Sequence, residues 1–187
     1  MAAKAEFGHS LVAPVSEFLE REAIWRELFP ARAGSARCDV GAQRFRASVA
    51  LLLSRLGWDY VGDAQVYLFT APDPDPGAVV VFGAASGQPE EEIGRVVHQA
   101  ARLRAFLRAC GLTAIPVRSL VVVGTEPSTE LRTAAAIVEV RLLEAEELAR
   151  LSAAPVANRN RVYAMIAARP TWRTGIAAEA QLSAACW

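Results

Sequence analysis

The chain has almost no lysine: of its 20 basic residues only Lys4 is one, and the rest are arginine. With abundant alanine this bias points to a GC-rich, bacterial genome, and arginine's planar fork for anions is the second explanation. Histidine is scarce too. His9 and His98 stand in no activating motif with serine or cysteine, and neither G-x-S-x-G nor H-E-x-x-H occurs. The 3 cysteines, Cys38, Cys110 and Cys186, are far apart, odd in number and without a C-x-x-C pair. That argues against a disulfide framework and a zinc site, and leaves thiols that behave as small apolar residues. No apolar run approaches the ~18 residues of a membrane span. The first residues contain no apolar signal core and place Glu6 where one would begin, so a cytoplasmic protein is expected. Formal net charge is +0, which removes any global basic field for nucleic acid. No repeat of 20 to 50 residues is evident.

What is present is a folding chain. Its 187 residues are 53% hydrophobic and 21% charged, enough for one core plus a helical arm. Residues 64–107 organise the rest: two short strands, 65–70 and 78–83, flank a turn of alternating proline and aspartate, and a helix follows over 90–110. Asp73 and Asp75 in that turn are read as solubilising groups, because a calcium loop needs more oxygen ligands in register.

Before the hairpin, Ser10 can cap a first helix whose apolar residues, among them Val15, Phe18 and Trp25, recur at helical spacing until Pro30. A small-residue linker leads to a second amphipathic helix with Phe45, Val49, Leu53 and Leu56 on one stripe and Arg44, Arg46 and Arg55 off it. After the hairpin, 117–124 is a continuous apolar run of the kind buried on both faces. Thr125 and Pro127 open a short helix, 137–142 alternates like an edge strand, and 143–151 is again helical. The expectation is an α/β domain: a mixed four- to five-stranded sheet flanked by helices at 41–151. An N-terminal helix precedes it within 1–34, and a helical arm follows at 155–187.

Ionisable residues line up in one place. Glu91, Arg95, His98 and Arg102 share a ridge of the 90–110 helix, as a salt-bridged outer face or as an anion or nucleic-acid contact. Gly124-Thr125 after a strand lacks the G-K-[ST] of a phosphate loop.

The run 55–63 (RLGWDYVGD), the strand 78–85 (AVVVFGAA), the helix segment 99–107 (QAARLRAFL) and the stretch 116–124 carry a resemblance. In that order of elements the chain resembles the restriction-endonuclease-like, PD-(D/E)XK nuclease superfamily, most of all its NERD and Mrr-like branch. The resemblance covers about residues 41–151 and implies a restriction-endonuclease-like core. In that superfamily an Asp near the first hairpin strand and a Glu-x-Lys on the next hold a divalent metal and activate water. Asp63 matches the first Asp, but Gly83 and Ala85 stand where Glu and Lys belong.

The resemblance therefore implies a catalytically inactive, nuclease-like accessory domain with no cofactor. A protein partner or a second copy would dock through an arm bearing Tyr163, Trp172 and Trp187. Two alternatives stand beside it. One is a DNA- or RNA-binding module using an Arg-rich face of Arg44, Arg46, Arg55, Arg95 and Arg102. The other is an active Mg2+-dependent nuclease whose acids have moved, with Asp63 and Glu91 as weak catalytic candidates. No membrane partner is expected.

Overall fold

A computed structural model describes the helical positions 14, 15, 17, 18, 20 and 21, and residues 40–56, 59–60, 66–69 and 78–153. The elements run α1 (Val40–Arg55), β1 (Asp59–Tyr60), β2 (Val66–Phe69), β3 (Ala78–Ala85), α2 (Pro89–Ala109), β4 (Val117–Val123), α3 (Thr129–Ile137), β5 (Val140–Glu144) and α4 (Ala145–Ser152). The domain is mixed α/β, as the pattern of the sequence requires.

The sheet order is β1-β2-β3-β4-β5. Its body is three parallel strands, with Val79 opposite Val117 and Ser119 opposite Val140. The short strands β2 and β1 add to β3 in antiparallel sense. Parallel neighbours cannot be joined by a tight turn, so α2 and α3 carry the chain back between β3, β4 and β5.

Strand residues alternate between two cores. On one face Val79, Val81, Val117, Val121 and Val123 meet Ile93, Val96, Ala100, Leu103 and Leu107 of α2, together with Ala135 of α3 and the N-terminal helical residues Val15 and Phe18. On the other, Val80, Phe82, Ala84, Leu120 and Val122 meet Val49 and Leu53 of α1, and Leu148 and Leu151 of α4. Both faces of β3 and β4 are covered, which explains why those strands read as unbroken apolar runs. Each fully buried leucine or valine contributes about 2 kcal/mol in removed apolar surface.

Several boundaries differ from the sequence expectation. The helix expected to open at Thr125 starts at Thr129, because Ser128 supplies the cap: its hydroxyl accepts from Leu131 N at 3.2 Å. Pro127 precedes that cap instead of occupying the first turn. Ile137 and Val138, expected to begin a strand, complete α3 and its end, and β5 starts at Val140. Local strand propensity there yields to a capped helix that closes through Glu139, whose φ is 58°. Leu143 and Glu144 accordingly belong to β5 and not to the last helix. Ser10, the 71–77 turn with Asp73 and Asp75, and the 155–187 arm lie outside the described residues.

Candidate functional site at the end of strand β3

β2 begins at Val66, opposite Val81, so the described ladder on that side of β3 ends there. Beyond it, side chains of α2 bond to the backbone of β3. Ala84 N donates to Glu92 Oε1 at 3.0 Å, and Arg95 Nη2 donates to the carbonyl of Phe82 at 3.3 Å.

Their geometry depends on a missing side chain. A Cβ at Gly83 would lie 2.7 Å from both Cγ and Oε1 of Glu92 and 2.8 Å from Cγ2 of Val96. Gly83 is therefore the place where α2 lays a carboxylate directly on the backbone of β3. Glu92 is 12% exposed and is gripped by Arg95 through two bonds, Nε to Oε2 at 2.8 Å and Nη2 to Oε1 at 2.6 Å. Arg95 Nη1 also donates to Gln99 Oε1 at 3.2 Å, and Gln99 is itself buried. From α1, Arg46 brings a second guanidinium to 3.5 Å of Glu92 Oε1.

Burial alone would raise the pKa of Glu92. The Arg95 hydrogen bonds and charge, the Ala84 amide and the Arg46 charge outweigh it, and the carboxyl sits below the ordinary glutamate range. Glu92 stays ionised, and the trio carries one net positive charge. Arg46 Nε is buried and makes no hydrogen bond among the described residues.

The arginines expected to share one face are divided by the sheet. Arg44, Arg46 and Arg55 sit on α1 and Arg95 and Arg102 on α2, helices that cover opposite faces. Arg46 and Arg95 alone among them converge, and they do so on Glu92. Arg44 and Arg55 are exposed, whereas Arg102 is half-buried and partnered. Arg46, expected off the apolar stripe and exposed, is drawn in by the carboxylate. Glu91 is exposed and its neighbour Glu92 takes the inward position. Asp63, Tyr163, Trp172 and Trp187 lie outside the described residues.

The sequence reading missed Glu92. The signal was there: a glycine inside a strand of large apolar residues marks close approach, and Glu92 lies in the acidic first turn of the next helix.

A second charged group lies where β5 passes into α4. Arg132 Nη2 meets Glu144 Oε1 at 2.8 Å. Burial pushes the Glu147 carboxyl up against the counter-pull of Arg141, and burial pulls Arg141 down. Among the described residues no three His, Cys, Asp or Glu side chains gather in a metal-holding group. No protein-family model, curated protein or solved structure matches the chain.

Proposed function

We propose that this chain is a catalytically silent, nuclease-like α/β domain that works by binding a protein partner, with its C-terminal aromatic segment as the docking arm. One observation carries the reading. At the strand position where the resembling nucleases place a metal-holding acid, Gly83 leaves a gap that Glu92 fills, and two guanidiniums and a backbone amide consume that carboxylate. A group so engaged stabilises the sheet edge; opening it to a metal would strip Arg95 and Arg46 of their counter-charge. Tyr163, Trp172 and Trp187 are the aromatic residues of the C-terminal segment, the side-chain types that anchor interfaces.

Size-exclusion chromatography with light scattering on the full chain, compared with a Tyr163→Ser, Trp172→Ser, Trp187→Ser variant, tests the arm. Loss of a dimer or of partner capture in the variant is expected. An unchanged mass and unchanged capture would reject the arm.

Glu92 also favours a second reading, an active metal-dependent nuclease in which this carboxylate replaces the absent acid of β3. Incubation with plasmid and Mg2+ or Mn2+ separates the two. Cleavage abolished by both Asp63→Ala and Glu92→Gln would establish the second reading and sink the first.

A further inference from the structure

The N-terminal helical residues dock on the domain through a few side chains. Val15 is 0% and Phe18 4% exposed; three residues apart, they share one helix face and join the core cluster of α2 and α3, beside half-buried Phe106, Leu131 and Leu142. The rings of Phe18 and Phe106 lie 5.7 Å apart at 55°, a tilted pair, and the Arg21 guanidinium sits 5.2 Å from the centre of the same Phe106 ring. Glu17 and Glu20 face outward, and the ion pair of Arg21 is to Glu17 of its own helix. Among the described residues no hydrogen bond or ion pair joins this helix to the domain.

Apolar anchors at i and i+3 beneath a charged outer face are the way a separate amphipathic helix lies in a groove of its partner. The sequence between helix and domain permits such separation. The nine residues 31–39 (ARAGSARCD) contain no large apolar side chain. Extended, they would span about 30 Å, against a radius of gyration of about 13 Å for a domain of about 100 residues. A tether of that length reaches the groove of its own chain or that of a neighbour.

We propose that the face of α2 and α3 around Phe106 is a helix-binding groove whose second occupant is the N-terminal helix of another copy of this chain, two copies exchanging helices to close a two-fold dimer. Every copy carries the matching Val15, Phe18 and Arg21, so the contact between chains repeats the contact within one. This surface is separate from the C-terminal arm and from Glu92.

Fluorescence anisotropy of a labelled peptide of residues 10–24, titrated with the full chain, tests it. Phe18→Asp in the chain frees the groove, and this variant should take up the peptide saturably and about ten-fold more tightly than the parent, whose own helix competes at an effective concentration of about 1 mM. The weaker uptake by the parent keeps the test independent of how that variant folds. Phe18→Asp in the peptide should weaken uptake at least about ten-fold, and Arg21→Ala in the peptide about three-fold. Light scattering on the parent refolded at about 1 mM, near that effective concentration, should show a dimer. Phe18→Asp should abolish it, and the Tyr163→Ser, Trp172→Ser, Trp187→Ser variant should retain it, which separates this contact from the arm. No saturable uptake by either chain, equal uptake of the Phe18→Asp peptide, or a refolded parent that is wholly monomeric overturns the proposal.

Discussion

Gly83→Ala is the sharpest perturbation of the β3 edge. On an exposed strand the change would be mildly favourable, by about 0.5–1 kcal/mol, because alanine loses less backbone freedom on folding. Here the added Cβ falls 2.7 Å from Cγ and Oε1 of Glu92 and 2.8 Å from Val96 Cγ2. Val96 is fully buried within the α2 core and has no room to retreat. Glu92 must move, and it then releases the Ala84 amide and loosens its grip on Arg95. Overpacking of this kind costs about 1–3 kcal/mol, and a charge-assisted bond to a backbone amide contributes about 1.5–3 kcal/mol. Against the small gain in chain entropy, the net expectation is a loss of about 2–4 kcal/mol. For a chain of this length that lowers the melting temperature by roughly 4–16 °C. Urea unfolding followed by circular dichroism measures it directly. The Glu92→Ala single variant and the Gly83→Ala, Glu92→Ala double variant complete a cycle, because removing the carboxyl makes room for the new methyl. The two losses should be less than additive by at least about 1 kcal/mol. A Gly83→Ala protein within 0.5 kcal/mol of the parent, or two strictly additive losses, would refute the close approach on which the site rests.

Glu92 and Glu147, shifted in opposite directions, predict opposite pH slopes. Glu92 is depressed, so its contribution is complete above the unfolded value near pH 4 and disappears as pH falls through its lower folded value. Glu92→Gln should cost about 1–2 kcal/mol at pH 7 and flatten the acid limb of the stability curve. An unaltered acid limb would count against the Arg95 clamp. Glu147 is raised, so its contribution is complete below about pH 4 and is lost as pH rises through the higher folded value. Glu147→Gln should remove that decline, and equal slopes in variant and parent would show that its burial is not felt. Ser128→Ala removes the cap of α3 and should cost about 1 kcal/mol, with hydrogen exchange rising first in the Thr129–Ile137 helix; a change confined to other elements would contradict the capping role.

Much of the fold was legible because β3 and β4 are buried on both sides, and burial on both sides leaves a continuous apolar run that no polar face interrupts. The α2 stripe was equally plain, since Ile93, Val96, Val97, Ala100, Leu103 and Leu107 recur at helical spacing and all but the half-buried Val97 are buried. The α3 to β5 passage was not legible. Ile137 and Val138 have strand-forming side chains yet end a helix, and the left-handed turn that follows is made by Glu139, where the usual glycine signal is missing. The candidate site at the end of β3 fell between these cases. Its chemistry comes from Arg46, Gly83, Glu92 and Arg95, residues spread over three elements, and only the sheet geometry brings a helix carboxylate onto a strand backbone. Helical spacing grouped Arg95 with Glu91, because it records neighbours along one helix and is blind to the strand beneath. Gly83 supplied the missing clue. A residue with no side chain, set among Val79, Val80, Val81 and Phe82, is informative through the volume it leaves to another residue, and the acid to look for was the one that α2 turns inward.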